Sequence, residues 1–381
     1  MKRSFHVVYI ITKLELGGAQ KVCLSLLNGL KEAGTPVSLI SGADGILIDE
    51  LQSSDVILLD GLKREVRVSY LLLEIKNFIA LIKHLKELKK KHKNIIVHTH
   101  STKAGLIGRW AAWFARIPIR VHTIHGFAFH NHQPKLIWFA IYLLELISSC
   151  ITTHFVCVSS QDVKTGIKLF PHFAYKHSII RAAVNWQDFV NPAHTNSFPQ
   201  NKPFVFGTIS CFKKQKNLFD MLKSFESAYH HNNNIRLELI GDGSLRPNIE
   251  QWIAEHNLTH AITLHGWQKK VVPIMVNWHA FVLSSLWEGL PCAIIEARLL
   301  KLPVLSYNTG GIHDVISTGD NGMLYTQGDW QSLAQGMLTL SQQPELHNKL
   351  QSHPDSLHDF HNDQMIRQHM CLYQALRDVH P

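Results

Sequence analysis

The chain has 381 residues, a length that exceeds one ordinary hydrophobic core and suits two domains. Hydrophobic residues make up 45% of it, which excludes a disordered tail, and its apolar runs are too short or too interrupted by charge for a membrane-spanning helix. Lysine and arginine (38) outnumber aspartate and glutamate (29). The formal net charge of +9 indicates a polyanionic partner: nucleic acid, an anionic membrane surface or a phosphate-bearing substrate.

The N-terminal segment and the cysteines predict a protein of the reducing cytosol. The apolar run 5–11 follows two basic residues and imitates a signal peptide, but it is short, contains His6 and lacks a small-residue cleavage site. We therefore expect it to form the first β-strand. The six cysteines include no Cys-x-x-Cys pair, so we expect free thiols at positions 23, 150, 157, 211, 292 and 371.

Short apolar runs alternate with longer helical patterns through residues 1–185. The runs predict strands at 6–11, 37–41, 56–59, 95–98, 120–123 and 155–158. Helices are predicted between them, among them 18–33, 71–92 and the apolar segment 136–151, which Glu145 interrupts and which reads as a buried or interfacial helix. This alternation predicts a parallel sheet covered by helices, in one Rossmann-like domain.

The pattern stops and then restarts in the second half of the chain. Residues 186–203 contain three prolines and several asparagines without periodicity, which predicts an interdomain linker. A second domain is expected over 204–359, with strands at 204–210, 236–240, 262–265, 280–284, 303–307 and 323–325. The tail is helical, and its last helix, about 360–381, is expected to pack back on the first domain.

The strongest candidate site follows the predicted strand 280–284. A loop carrying Glu288 and Gly289 leads to Pro291, a residue typical of a first helical turn, and the helix behind it carries Glu296. Such a helix directs its free N–H groups and its positive end toward the place where open α/β sheets bind ligands. Two carboxylates there can bind sugar or ribose hydroxyls. The alternative is one loop glutamate and one solvated helix glutamate.

With this motif the sequence resembles the retaining glycosyltransferases of family 4, and Glu288 and Glu296 match the E-x7-E element of that family. Further matches occur in the same order over residues 5–330: Gly17-Gly18-Ala19-Gln20, His98-Thr99-His100, His122-Thr123-Ile124-His125-Gly126, Lys216, Ile240-Gly241-Asp242-Gly243, His265-Gly266-Trp267, Gly310-Gly311 and Asn321-Gly322. The resemblance implies an α/β chain with the GT-B fold, which consists of two facing Rossmann-like domains with a crevice between them.

The resemblance also implies that the second domain binds the donor. Glu296 would bind ribose hydroxyls, and Glu288 would bind donor-sugar hydroxyls together with backbone N–H groups near Gly289 and Leu290. Lys216 would stabilise the departing diphosphate. The sequence departs from the family at one point, because the arginine expected about five positions before this lysine falls on Cys211 or nearby. Either Lys213 or Lys214 then supplies the second cation, or phosphate binding is weaker than usual in the family. We predict Lys213, because Lys214 is expected to be solvated.

Two residues of the first domain complete the predicted site. Gly18 lies in a glycine pair that follows the first strand, and the family implies that this loop approaches the donor diphosphate and the acceptor. The pair is not a G-x-G-x-x-G motif, and relief of backbone crowding is its structural alternative. His125 matches the family histidine near the donor sugar and the acceptor.

Other functions compete with this interpretation. His98-x-His100 at a strand end is also typical of zinc-dependent hydrolases, although a zinc site would need further ligands. A sugar-nucleotide epimerase would share the GT-B architecture.

The chain has no Asp-x-Asp pair, so we expect no metal and no cofactor. The resemblance implies sugar transfer with retention from a nucleotide sugar, UDP-linked by preference, to a lipid-linked or saccharide acceptor such as an envelope polysaccharide precursor.

A lysine-rich block extends from Lys83 to Lys93 and holds six lysines, two histidines and one glutamate. It is either a solvated helix face or a docking site for anionic lipid. We predict docking, and hence a cytoplasmic protein that associates peripherally with the inner face of the cytoplasmic membrane. Nucleic-acid binding by the same block is the non-enzymatic alternative, but the block has no interleaved aromatic platform, so we expect no nucleic-acid partner.

Overall fold

The computed structural model describes residues 5–48, 51, 56–60, 62, 71–189, 197–200 and 202–380. The chain forms two compact units, Met1–Ala183 with Asp359–Pro381, and Val184–His358. Of the predicted linker 186–203, residues 190–196 and 201 lie outside the described residues. Its first part, Trp186–Phe189, is a short 3-10 helix that packs within the second unit.

The described part of the first unit contains a parallel sheet of seven strands. They are β1 (His6–Ile10), β2 (Val37–Gly42), β3 (Val56–Leu59), β4 (Ile95–His100), β5 (Ile119–Ile124), β6 (His154–Cys157) and β7 (His177–Ile179). Their order is β3-β2-β1-β4-β5-β6-β7, so the order reverses between β1 and β4. All five residues of β1 are buried, as expected for a central parallel strand with both faces covered.

Among the described residues, five helices connect these strands: α1 (Gly18–Glu32), α2 (Leu71–Lys91), α3 (Thr102–Phe114), α4 (Lys135–Ile151) and α5 (Ser160–Leu169). Apolar side chains at helical spacing, such as Leu81 and Leu85 of α2, pack with Ala111 and Ala112 of α3 over the central strands. Among the described residues, no helix is both long enough and apolar enough to cross a bilayer.

The second unit repeats the architecture with six described strands. They are β8 (Phe204–Ile209), β9 (Ile235–Ile240), β10 (Ile262–Gly266), β11 (Ala280–Leu283), β12 (Val304–Tyr307) and β13 (Gly322–Tyr325), all parallel, in the order β10-β9-β8-β11-β12-β13. Its helices are α6 (Leu218–His231), α7 (Arg246–Glu255), α8 (Val272–Met275), α9 (Cys292–Leu299), α10 (Trp330–Gln342) and α11 (Pro344–Ser352). This is the Rossmann strand order, and it reverses between β8 and β11.

The last helix, α12 (Asn362–Val379), belongs to the first unit, where it packs against α1. Its Tyr373 is fully buried, and the Tyr373 hydroxyl lies 3.0 Å from that of Tyr9 on β1. The helix therefore brings the C-terminal end of the sequence to the central strand of the first sheet.

The fold class predicted from the sequence is confirmed, because two parallel sheets with covering helices are present. Each predicted strand is found with its ends displaced by at most two residues. The prediction missed β7, which has only three residues, and placed Pro291 inside a helix. Pro291 has extended backbone angles and is the N-cap of α9, which begins one residue later.

Candidate active site

Two loops meet at the reversal point of the second sheet. One follows β8 and contains a 3-10 turn at Lys214–Lys216, and the other joins β11 to α9. The backbone N–H of Leu286 donates to the carbonyl oxygen of Gln215 (2.8 Å), and the Gln215 side-chain amide donates to the carbonyl oxygen of Trp287 (2.8 Å). The loops are therefore held together by a backbone hydrogen bond and an uncharged side chain, which leaves their charged side chains available to each other.

A lysine and a glutamate from these loops form an ion pair. Lys216 Nζ lies 2.5 Å from Glu288 Oε1, and the two side chains are only 15% and 8% exposed. The hydroxyl of Ser284 donates to the carbonyl oxygens of Lys216 (3.0 Å) and Asn217 (2.9 Å), which fixes the backbone beneath the lysine. The structure thus brings together two residues that the sequence singled out in separate motifs.

A third loop, after β12, supports Glu288 from behind. The N–H of Gly311 donates to the carbonyl oxygen of Gly289 (2.6 Å). Gly310 has φ +57°, and a Cβ atom on it would lie 2.1 Å from the carbonyl oxygen of Glu288. Only glycine fits this close approach without moving the loop. Two side chains donate hydrogen bonds to the carbonyl oxygen of Leu286: Thr309 from this loop, and Gln327 from the segment after β13.

The remaining predicted donor residues surround the start of α9. Leu290 is buried, and Glu296 is a buried side chain on α9 itself. The N-cap Pro291 has no side-chain hydrogen bond to the first turn, so the helix end directs its partial positive charge outward. Lys213, just before the 3-10 turn, is half-buried, and Lys214, the first residue of the turn, is exposed. Cys211, the position of the missing family arginine, is a half-buried free thiol.

In the first unit, the predicted residues lie at the carboxyl ends of β1, β4 and β5. Gly18 is the first residue of α1. His125 follows β5, and its Nε2 lies 3.0 Å from Nδ1 of His100, the last residue of β4. Burial lowers the pKa of His125 to about 4, and the nearby His369 adds to the shift. At neutral pH His125 is therefore an uncharged imidazole that can exchange hydrogen bonds with a ligand.

His98 and His100 belong to a buried cluster of hydrogen-bonded side chains. The Nδ1 atom of His98 lies 2.5 Å from the Tyr373 hydroxyl, and its Nε2 lies 2.7 Å from Thr123 Oγ1. The rings of His98 and His100 stack with centroids 4.6 Å apart. Burial lowers the pKa of both rings, and neighbouring histidines lower it further. In the described part of the chain, no group of three or more His, Cys, Asp or Glu side chains is arranged to hold a metal ion.

Sequence reasoning missed the partners that α12 supplies to this cluster. Tyr373 contacts His98, and the ring of His369 lies 5.6 Å from that of His98. The histidine-rich composition of the tail is the one signal that pointed to them. Sequence reasoning also missed Gln215, Thr309 and Gln327, whose side chains donate hydrogen bonds to backbone carbonyl oxygens of the loop that carries Glu288.

Comparison with known proteins identifies the chain. Residues 16–180 match the model of Glycosyltransferase Family 4, and residues 192–353 match that of Glycosyl transferases group 1. The chain belongs to glycosyltransferase family 4. It is an enzyme that transfers sugars, and its two Rossmann-like sheets are those of the GT-B fold.

Two curated relatives cover most of the chain. It is 30% identical over 338 residues to the Escherichia coli UDP-Gal:alpha-D-GlcNAc-diphosphoundecaprenol alpha-1,3-galactosyltransferase, covering 86% of this chain and 85% of that protein. It is 26% identical over 282 residues to the capsular polysaccharide biosynthesis glycosyltransferase CapM of Staphylococcus aureus, covering 68% and 72%. Anabaena Alr3699/HepE in complex with UDP and glucose superposes with a TM-score of 0.80 at 16% identity, covering 97% and 99%.

Proposed function

We propose that this glycosyltransferase moves a sugar from a UDP-sugar to a lipid-linked saccharide, with retention at the anomeric carbon. The Lys216–Glu288 pair at the reversal point of the second sheet carries the proposal. It supplies a cation for a diphosphate and a carboxylate for sugar hydroxyls on two loops held in register by the hydrogen bonds of Gln215. The Escherichia coli relative, whose name specifies UDP-Gal and a diphosphoundecaprenol acceptor, supports the choice of substrates.

The pair has to open when the donor binds. Without donor, Lys216 is neutralised by Glu288 at 2.5 Å, which keeps two poorly exposed charges compensated. A donor diphosphate takes over the lysine, and the sugar hydroxyls take over the carboxylate. Each charge then keeps a partner, and the lysine is positioned where negative charge grows as the phosphate–sugar bond breaks.

Retention is proposed to proceed on one face of the sugar. The nucleophilic hydroxyl attacks from the side that the diphosphate leaves, and a phosphate oxygen accepts the proton of that hydroxyl. This route needs no enzymatic carboxylate as nucleophile, in contrast to the retaining glycosidases. Lys216, the N-terminal end of α9 and backbone N–H groups near Gly289 and Leu290 stabilise the leaving group, while Glu296 binds the ribose. From the first unit, Gly18 is proposed to contribute to donor binding, and His125 is proposed as a catalytic residue near the donor sugar and the acceptor.

The deciding experiment compares Lys216→Ala with Lys214→Ala. Both lysines lie in the same 3-10 turn, but the second is exposed and serves as a matched control. With radiolabelled UDP-galactose and lipid-linked saccharides extracted from bacterial membranes, we expect Lys216→Ala to lower label transfer by about 10² or more. Lys214→Ala should transfer at nearly the wild-type rate. Equal rates for the two variants would refute the assignment of the diphosphate site.

The donor itself is tested by thermal shift. A ligand that binds only the folded enzyme raises its melting temperature. We expect UDP and one UDP-sugar to raise it, and GDP- and ADP-sugars to have little effect. The stereochemistry is tested by proton NMR of the sugar released during slow donor hydrolysis, because retention gives the anomer of the donor first.

We also propose that the enzyme works at the cytoplasmic face of the membrane, where a lipid-linked acceptor resides. All six lysines between Lys83 and Lys93 are exposed, which supports electrostatic attraction to anionic lipid. Reversal of several of these charges should weaken binding to anionic liposomes.

A further inference from the structure

Helix α4 packs one apolar side on the core, with Trp138, Ile141, Tyr142 and Leu146, and exposes a second apolar face to the surface. Its buried residues are Glu145, Ser148 and Ser149. After Lys135 at its start, its exposed large side chains are apolar and recur at helical spacing: Leu136, Ile137, Phe139, Leu143, Leu144 and Ile147, with Leu136 80% exposed. A helix on the surface of a water-soluble domain instead has charged and polar residues on its exposed face.

Buried polar contacts fix this orientation. The guanidinium of the fully buried Arg109 on α3 donates to Glu145 Oε2 at 2.7 Å. The indole N–H of Trp110 donates to Ser148 Oγ at 3.0 Å. Rotation of α4 to hide its apolar face would leave Arg109 buried without its carboxylate. These buried contacts therefore keep the apolar face of α4 exposed in the folded first unit.

The apolar surface continues onto the two neighbouring helices. On α3, Trp113 and Phe114 are 45% and 48% exposed, and the Phe114 ring lies 6.0 Å from that of Phe78 on α2. Along α2 the exposed stripe begins with Leu72, Ile75 and Ile79. Since α3 packs against both α2 and α4, the exposed apolar residues of the three helices share one layer of the unit. We call these residues the apolar patch.

Positive charge is concentrated on the same layer. The helices α2, α3 and α4 hold nine lysines and arginines but three acidic residues, Glu74, Glu87 and Glu145. The exposed stripe of α2 changes from its apolar start to Lys83, Lys86 and Lys90 in its second half. A second copy of this chain would meet the patch with a surface of the same charge, so charge complementarity favours an anionic partner.

We infer that the apolar patch, centred on α4, inserts into the interface of an anionic phospholipid bilayer while the lysines of α2 attract the lipid headgroups. A helix that lies in the interface plane buries its apolar face at the boundary of the headgroups and acyl chains, and basic residues beside it add electrostatic attraction. The inference deepens the proposed membrane association by naming α4 as the inserting element. His125 precedes α4 on the same unit, so the docked face adjoins the segment proposed for the acceptor.

The test measures co-sedimentation of the enzyme with two kinds of vesicle. One contains phosphatidylcholine alone, and in the other about one lipid in three is phosphatidylglycerol. The wild-type enzyme should sediment with the anionic vesicles only. The double substitution Leu143→Glu and Ile147→Glu should lower the partition coefficient at least about tenfold, because it puts charge on the inserting face. Val379→Glu is the matched control, since Val379 is 72% exposed on α12, which packs against α1. It should sediment like the wild type.

Two exposed cysteines give an independent readout. Cys150 lies at the end of α4, and Cys371 lies on α12. An environment-sensitive fluorophore on Cys150, in a variant with Cys211→Ser and Cys371→Ser, should shift to shorter wavelength with anionic vesicles. The same fluorophore on Cys371, with Cys150→Ser and Cys211→Ser, should not shift.

Several outcomes would overturn the inference. They are wild-type sedimentation of the α4 variant, the same fluorescence response at both cysteines, or a wild-type dimer that the α4 variant abolishes without any vesicle binding. UDP-induced thermal stabilisation is measured on each variant. Its retention in a variant that no longer binds vesicles separates membrane docking from donor binding.

Discussion

At the carboxyl ends of β8 and β11, the second unit holds a lysine and a glutamate in one ion pair, whereas at the ends of β4 and β5 the first unit stacks uncharged imidazoles. Both sheets have the same reversal of strand order. The Lys216–Glu288 pair joins a basic and an acidic side chain at 2.5 Å, on loops whose backbone groups are hydrogen-bonded to each other. The histidines are deeply buried, and burial lowers their pKa below the neutral range. The second unit is therefore suited to electrostatic stabilisation, and the first to uncharged hydrogen bonding.

The largest effect expected from this difference is acid instability of the first unit. Burial lowers the pKa of His369 from 6.5 to about 4, although a hydrogen bond to the Met365 carbonyl opposes the shift. Between those pH values the unfolded chain binds more protons than the folded chain, so stability is present above pH 6.5 and is lost as the pH falls toward 4. One such histidine contributes about 3 kcal/mol over this window, and the pKa values of His98, His100, His122 and His125 are lowered as well.

Thermal unfolding at pH 7.5 and pH 5.0 measures this effect. The melting temperature should fall on acidification, and His369→Leu should flatten the dependence because it removes one of the proton-binding groups. His230→Gln is the control, since that side chain is 70% exposed on α6. A pH dependence that His369→Leu leaves unchanged would show that the cluster does not carry the acid sensitivity.

The next effect concerns the charged side of the comparison. Glu288→Gln keeps the shape of the side chain but removes its charge, and we expect transfer to fall about 10², which corresponds to about 3 kcal/mol in the transition state. Lys216→Ala combined with Glu288→Gln should lose less than the product of the two single losses, because the residues contact each other. Steady-state transfer kinetics check both statements. Glu345→Gln, at an exposed position of α11, should be neutral, and equal loss in that control would disqualify the assay.

The third prediction asks whether the charged pair depends on its supporting loop. Gly310→Ala should lower both the stability of the second unit and the transfer rate, because its Cβ would lie 2.1 Å from the carbonyl oxygen of Glu288 at φ +57°. Gly319→Ala is a matched control with φ +87° and no atom within 4 Å of the new Cβ. The control should cost only the left-handed backbone penalty, about 1 kcal/mol. Similar activities of the two variants would show that Glu288 does not need this support.

The sequence predicted most of the sheets and only part of the site, for identifiable physical reasons. Buried parallel strands are continuous apolar runs, so twelve of the thirteen described strands could be read from the sequence. The missed strand, β7, has three residues, and two of them are the polar His177 and Ser178. Lys216 and Glu288 were found because each lies in a local motif. The contact of His98 with Tyr373 joins residues 275 positions apart, and no local pattern records it.

The smallest expected effect tests the C-terminal closure of the histidine cluster. Tyr373→Phe removes the hydroxyl that lies 2.5 Å from His98 Nδ1 and 3.0 Å from the Tyr9 hydroxyl, so two buried polar groups lose a partner. We expect the free energy of unfolding of the first unit to fall by about 1–3 kcal/mol. Urea unfolding followed by circular dichroism measures the change, and Tyr175→Phe, at a side chain that is 90% exposed, is the control. Because donor binding is assigned to the second unit, the thermal shift produced by UDP should be the same in Tyr373→Phe as in the wild type. A loss of UDP binding in this variant would mean that the uncharged cluster and the charged pair do not act separately.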